Sequence, residues 1–537
     1  MVADAWHSHV PGPSEVSPNG QAGAASMEES TGVALSGGGV RAALFSLGVL
    51  IGMVDMGEHR KVTNISSVSG GSIVNAAIAQ SRPFAACGTT DDFKTIAKPI
   101  AENLCRRGAF VFSGSALLAL ARGVLPRLGG IAALGVTAYS SVAGVTRDRD
   151  LHLPWGWIVV AIPGVLAIAL FFSRGALQEA MYSAMLTALP DGRRSGRLRD
   201  MRRESSGDTT HVIVATDLVS GAPVYFSRDF VCCPAFGWGR PGGTRTASAV
   251  YASAAFPVMF PVRRFRRKRF HFQNGSVPPP FPRKLKLNDG GVYNNLGTDW
   301  FDHLEEREIW KHGNLQPQPM LEPVSRRIVV NAGAASRGLR RVPPFLAISR
   351  TMSVLYDNTV RPRLRTMRER AAERLDAPVV IDISESPYEV ARRHAEVHTP
   401  NYADSEQATA GARKERAKDV VERLAARTES FWIEFARQTS STRTKLTAAG
   451  LESGARVMFH GYLSTVCVLH ILHDIPLPAD IKDEGYFLDL AGRGEPPALH
   501  DEPVGETQQP AAALSPDTTE GPLDEQHKAP TPAVGRN

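Results

Sequence analysis

The chain has 537 residues, with 61 Lys and Arg against 54 Asp and Glu for a formal charge of +7. Its length exceeds one average domain, and ordinary apolar and charged fractions exclude a wholly disordered chain. The five cysteines (Cys87, Cys105, Cys232, Cys233 and Cys467) are odd in number, scattered and without a C-x-x-C pair, against a disulfide framework and against a zinc site.

Residues 1–30 are rich in Pro, Gly, Ser and Ala and predict a disordered arm. Its start, MVADAWHSHVPGPSEVSPNG, lacks a basic residue followed by an apolar run, so no cleavable signal peptide is expected. GVALS then predicts a strand, RAALFSLGVLIGMVDMG a helix and NISSVS a second strand. HVIVATDL and RRIVVNAG are further strand candidates, and the adjacent Cys232 and Cys233 read as strand packing. Nearly continuous apolar strands alternating with helices predict an α/β domain on a largely parallel sheet. After Pro344 the pattern turns helical, with SEQATAGARKERAKDVVERLAARTESFWIEFARQ expected as a surface helix pair. From about residue 494 a Pro-rich acidic tail runs to 537.

One segment departs from a soluble pattern. LPWGWIVVAIPGVLAIALFFS (153–173) is uncharged and long enough to cross a bilayer, with Trp155 and Trp157 at one end. LGGIAALGVTAYSSVAGV (128–145) is a weaker span rich in small residues. Arg106, Arg107, Arg122 and Arg127 flank one side and the arginines of 193–203 the other, which predicts a hairpin with both ends cytoplasmic. The alternative is an apolar lid or core helix.

Three adjacent glycines, Gly37, Gly38 and Gly39, lie between the first strand and the first helix. Bare backbone there suits either a phosphate or an oxyanion. As G-x-G-x-x-A, Gly37, Gly39 and Ala42 match a dinucleotide turn, yet Asp55 and Glu58 precede the second strand, where they do not reach a ribose. The second strand instead runs into SVSGGS, the shape of a nucleophile elbow centred on Ser69, with Ser67 where the motif has its first glycine. That departure bears on the tightness of the turn. The helix after Ser69 aims its positive end at the serine, and the glycine run would offer N–H groups to a tetrahedral oxyanion. Arg41 would support it by charge. No histidine sits in a strand-end motif, and the strongest base is Asp289 in KLNDGGVYNNLG, although Asp-Gly alone reads first as a β-turn.

In combination, G-G-G-x-R, the serine elbow, VATDLVSGAPVYFS, AVYASAAFPVMFPV and D-G-G resemble the patatin-like phospholipases, over residues 32–333 apart from the insertion at 105–203. KLTAAGLESGARVMFHGYLST is similar to the closing helix of some members. The resemblance implies a three-layer α/β/α domain with a central, largely parallel sheet over 31–360, interrupted by the apolar insertion, then C-terminal helices over 361–493. It implies a Ser69 nucleophile, an Asp289 base, an oxyanion loop at Gly37, Gly38 and Gly39, and support from Arg41, Gly70, Gly71, Gly290 and Gly291. It implies no metal, no cofactor and no catalytic histidine. The expected substrate is a phospholipid or lysophospholipid, cleaved at its acyl ester at a membrane with the catalytic domain facing the cytoplasm.

RRFRRKRF and the arginine-rich flanks suit an anionic membrane surface. Phe265 and Phe270 could instead stack on bases, but no nucleic-acid module accompanies them. Phe256, Pro257, Val258, Met259 and Phe260 are candidates for an apolar wall. The rival readings are a catalytically silent lipid-binding scaffold and, more remotely, a nucleotide-binding protein. Oligomeric state is not encoded in any of these features.

Overall fold

Apolar β-branched runs bounded by glycine become the strands of one sheet. A computed structural model describes residues 29–108, 173, 175–183, 186, 196–201, 209–257, 259–275, 282–302, 324–333, 347–373, 377–396, 404–442 and 447–493. The arm (1–28), the two candidate spans (128–145 and 153–172) and the acidic tail (494–537) lie outside the described residues.

Five strands form the parallel half of the sheet. β1 (Thr31–Leu35) lies between β2 (Val62–Val68) and β10 (Arg326–Asn331), with β3 (Thr210–Asp217) beyond β2 and β11 (Val379–Asp382) beyond β10. β1 is buried along its whole length, as expected of a strand covered on both faces. From β3 the sheet continues antiparallel through β4 (Pro223–Phe226), β5 (Val231–Cys233), β6 (Gly237–Gly239) and β8 (Gln273–Asn274). β9 (Lys284–Asp289) also pairs with β3, past the end of β2, and β7 (Arg263–Arg266) pairs with β9. The sheet is thus mixed, with parallel strands on one side of β3 and antiparallel strands on the other.

α1 (Gly39–Asp55) links β1 to β2 and is buried on all sides up to Val54. α2 (Gly70–Ser81) follows β2, and α3 (Thr90–Arg106) packs beside both. The closing helix expected from KLTAAGLESGARV lies further on in the chain, at Leu451–His473. It is long and apolar enough to cross a membrane, but 78% of its apolar window is buried within the fold, where it packs on α1. Glycine makes that contact close. A Cβ on Gly48 would come within 2.0 Å of the Met458 carbonyl oxygen, and one on Gly461 within 2.3 Å of the Phe45 carbonyl oxygen.

One expectation changes, and one alternative falls. A boundary at 361 falls inside the helix Ala347–Glu373, and the stretch expected to be all helical supplies β11, which extends the main sheet. Phe265 and Phe270 are not available to stack on bases. They are buried with Phe226, at ring-centroid distances of 5.6–6.1 Å, in the core of the antiparallel half. The surface helix pair is present as Asp404–Leu424 and Glu429–Ser441.

Candidate active site

β2 ends at Val68, and the chain turns through Ser69 at φ 51° and ψ −114° before α2 begins at Gly70. A left-handed φ strains a residue with a Cβ and persists only where surroundings impose it. Close glycine packing imposes it here: a Cβ on Gly70 would meet the Gly39 carbonyl oxygen at 2.1 Å, and one on Gly71 the Leu35 carbonyl oxygen at 2.7 Å. α2 therefore sits directly on the loop between β1 and α1.

Ser67 does not loosen the turn. It is fully buried, and its hydroxyl donates to the Val212 carbonyl of β3 at 2.9 Å. With its proton engaged it accepts from Ser72 at 3.1 Å and from the Asn75 amide at 2.8 Å. Ser72, having donated, accepts from Ser253 at 2.9 Å, and Ser253 accepts the Ser69 backbone N–H at 2.9 Å. This run of hydroxyls ties the elbow to β3 and to the end of α4 (Thr246–Ser253). Below it, His211 faces the Asn75 side-chain oxygen at 2.6 Å, and burial pushes its pKa down to about 4, so it stays neutral.

β3 brings the acid to the serine. Val214 pairs with Val68 of the parallel β2, and the next residue, Ala215, pairs with Asp289 of the antiparallel β9. The C-terminal ends of β2 and β9 therefore meet head-on across one strand. The Asp289 carboxylate accepts the Gly291 N–H at 2.8 Å and has the Ser69 side chain beside it. Burial pushes its pKa up to about 7, outweighing the lowering by the Gly291 N–H and the Ser69 side chain. Burial, and then the Asp289 charge itself, holds the phenols of Tyr182 and Tyr356 above the usual tyrosine range.

Of the expected apolar wall, Phe256 packs edge-on to Tyr356 and Phe260 edge-on to Tyr251, while Met259 is exposed. Val258 lies outside the described residues. Gly290 follows Asp289 in close contact with β3, where a Cβ would come within 2.4 Å of the Val214 carbonyl oxygen.

The glycine loop divides its work. The Gly37 N–H, expected to face an oxyanion, is donated to the Asn295 carbonyl at 2.9 Å, so it is not a donor to substrate. Gly37 serves close approach instead, since a Cβ there would lie 2.2 Å from the Asn295 side-chain oxygen and 3.1 Å from the Ser69 Cβ. Among the described residues the N–H groups of Gly38, Gly39 and Gly70 have no partner, and they lie at two helix N-termini, where Gly39 packs against Gly70, the residue after Ser69. Arg41 is buried beneath the loop, its Nε and one Nη donating to the Ala332 carbonyl and the other Nη to those of Ser440 and Thr442. Burial alone lowers its pKa to about 10, so it remains a cation.

Ser72, Ser253 and Asn295 were not singled out by sequence reasoning, although they sit inside the quoted SVSGGS, AVYASAAFP and KLNDGGVYNN stretches. The acids a nucleotide ribose would need are engaged elsewhere: Asp55 accepts from Thr90 and Tyr462, and Glu58 pairs with Arg326 and Lys61. Among the described residues no group of three or more His, Cys, Asp or Glu is placed to hold a metal.

Residues 33–302 match the family model for patatin-like phospholipase. No curated protein matches the chain by sequence. Among solved structures the chain is similar to human GIVD cytosolic phospholipase A2, at 12% identity and a TM-score of 0.36 over 83% of this chain and 63% of that one. It is also similar to VipD from Legionella pneumophila, at 12% identity and a TM-score of 0.24 over 77% of this chain and 71% of that one. The chain thus spans less than two thirds of the human enzyme's length.

Proposed function

The chain belongs to the patatin-like phospholipase family, and we propose that it is a serine acyl hydrolase cleaving acyl esters of phospholipids or lysophospholipids with Ser69 as nucleophile and Asp289 as base. One observation carries this reading: a serine on a strained elbow lies beside a buried carboxylate whose pKa burial pushes up to about 7, with the N–H groups of Gly38, Gly39 and Gly70 next to it and without partners among the described residues.

A carboxylate at its ordinary pKa near 3.9 accepts a proton poorly at neutral pH. Burial corrects that mismatch, so Asp289 takes the hydroxyl proton as Ser69 Oγ bonds to the ester carbonyl carbon. The carbonyl oxygen becomes an oxyanion beside Gly38, Gly39 and Gly70, with the Arg41 cation behind the loop. Collapse breaks the ester C–O bond, and the proton on Asp289 passes to the departing alcohol. Water then attacks the acyl-serine, giving its proton to Asp289. Ser69 leaves with that proton as the fatty acid is released.

The protein works at a membrane with this domain on the cytoplasmic side. That part of the reading is supported by the uncharged 153–173 stretch, its arginine-rich flanks and the basic β7 edge. After a high-pH carbonate wash the protein is expected in the membrane pellet, and its release would assign the stretch to a lid.

The test of the chemistry is a fluorophosphonate probe on the full chain. Wild type is expected to label, Ser69→Ala is not, and phospholipid vesicles are expected to yield free fatty acid only with the former. Equal labelling of both would remove Ser69 from the reaction. A wild type that never labels favours the silent scaffold.

A further inference from the structure

The antiparallel half carries charge at its edge that the acyl-transfer chemistry does not use. In the β7–β9 pair Arg264 lies opposite Lys286 and Arg266 opposite Lys284, while Phe265 and Leu285 between them are buried. Directly opposed residues point to the same face, with Cβ atoms about 4.5–5.5 Å apart, and like charges there destabilise the pair. All four cations are exposed. Among the described residues none of the four, nor Lys268 and Arg269 in the turn that follows, forms an ion pair. Arg263 does, with Glu179 at 2.8 Å, but it points to the other face. The Asp217 carboxylate accepts the Lys286 backbone N–H, and among the described residues it forms no ion pair with the Lys286 ammonium.

Along this turn runs a groove of about 560 Å³ lined by Arg263 to Arg266, Lys268, Arg269 and His271; Lys284 and Lys286 lie across the strand pair from two of these arginines, outside the lining itself. That is within the range of small-ligand sites, about 300–1,000 Å³. His271 is held at φ 52°, one of three non-glycine residues at positive φ among the described residues, and the first of them is Ser69. Strained backbone of this kind clusters where ligands bind. The fold thus keeps two like-charged pairs two residues apart, about 7 Å along the strand, next to a concave wall of guanidinium and ammonium groups.

We infer that this groove binds a multiply phosphorylated anion, of the class carried by an inositol-lipid headgroup or free as an inositol polyphosphate; only the lipid source rests on the membrane reading above. A single phosphate is too small to neutralise both opposed pairs, whereas phosphates on neighbouring ring positions reach both. Arginine supplies a bidentate fork to one phosphate and lysine a point charge to the next. Single-stranded nucleic acid is the weaker occupant, because the aromatic rings it would stack on, Phe265 and Phe270, are buried.

The test uses the full chain, inositol hexakisphosphate and two double variants, R264Q/R266Q on β7 and K284Q/K286Q on β9. Micromolar inositol hexakisphosphate is expected to raise the melting temperature of wild type, and sodium chloride of equal ionic strength is not. Each removed arginine is expected to weaken binding by about tenfold or more. Without ligand both variants should melt no lower than wild type, because opposed like charges are gone. If one fails to fold, the other reads the same site from the facing strand.

Phosphatidylcholine vesicles carrying a bisphosphorylated inositol lipid then separate the sources. Retention above phosphatidylserine vesicles of matched charge, with release by inositol hexakisphosphate, assigns the lipid headgroup. A melting shift without that preference assigns the soluble anion. The inference is overturned if chloride reproduces the shift, if the variants respond as wild type does, or if an oligonucleotide binds more tightly than the polyphosphate. None of these readouts uses hydrolysis, so their failure is distinct from failure of the acyl-hydrolase reading.

Discussion

The two halves of the sheet contribute unlike things to one site. The parallel half, β11 to β3, is built of buried strands under two buried helices, and it supplies the serine and the glycine loop. The antiparallel half is built of short strands around an aromatic cluster, and it supplies the carboxylate. They share β3, so the proposed dyad sits on the seam between a rigid frame that stores strain at Ser69 and a pocket that desolvates Asp289. Rigidity is what a strained nucleophile requires, and burial is what a weak base requires. Neither half has both.

Cutting the seam from either side should give the largest effects. Ser69→Ala removes the nucleophile and with it hydrolysis. Asp289→Asn keeps the shape and the Gly291 hydrogen bond but not the base, and kcat should fall by about 10²–10⁴-fold. Gly39→Ala places a side chain at φ 63° on the loop and disturbs an N–H aimed at the developing oxyanion, for a loss of about 10²–10³ in kcat. If Asp289→Asn turned over at nearly the wild-type rate, the antiparallel half would be packing rather than chemistry.

pH should separate the halves next. Asp289 must be ionised to act, so kcat/KM should rise with pH along an acid limb with its midpoint near 7. Stability should run the other way. A carboxyl whose folded pKa is raised from its unfolded value near 3.9 to about 7 favours the folded state fully at low pH, and that contribution is lost as pH rises between the two values. Thermal melts of wild type against Asp289→Asn should therefore diverge in this window, with the variant the more stable above pH 7 by up to a few kcal/mol. Equal melting at every pH would mean the carboxylate is solvated, and the source of its basicity would have to be sought elsewhere.

Legibility in the sequence also follows the seam. β1, β2, β3 and β10 are apolar runs flanked by glycine or helix signals, so period and punctuation find them, and the same glycines mark the elbow and the loop. β5, β6 and β8 have three residues or fewer, too short for any period, and β11 is four residues set between helices. Asp289 was legible only beside the serine motif, because Asp-Gly by itself denotes a turn. Gly37 was assigned the wrong role for a tertiary reason. Its N–H is taken by the Asn295 carbonyl, far along the chain, and no local pattern shows such a bond. Ser253 escaped notice similarly, since it meets the Ser69 N–H across 184 positions.

The frame can be probed away from the chemistry. Gly48→Ala pushes a methyl toward the Met458 carbonyl and should force the two core helices apart, at about 1–3 kcal/mol of unfolding free energy in a denaturant titration. Because these helices carry the loop and the C-terminal layer that Arg41 grips, activity should fall with stability. A variant that lost stability and kept its full kcat would show that the oxyanion loop is held by Arg41 and α2 alone.

The smallest expected effect is the sharpest on the seam itself. Ser67→Gly restores the glycine that the elbow motif usually has, and if the serine were a tolerated flaw the change should speed turnover. The hydrogen bonds argue otherwise. Ser67 donates to β3 and accepts from Ser72 and Asn75, so its loss removes three buried hydrogen bonds, although Asn75 keeps the Ile65 and Val212 carbonyls and Ser72 keeps Ser253. Glycine in a strand interior adds its own entropic penalty. Together these predict a stability loss of about 1–3 kcal/mol and a kcat that drops modestly, with KM unchanged because substrate does not touch Ser67. Ser67→Ala should lose the same hydrogen bonds without the backbone entropy, and so fall between the two. A glycine variant that melted as wild type and turned over faster would show that the hydroxyl chain from β3 to Ser253 does not set the elbow.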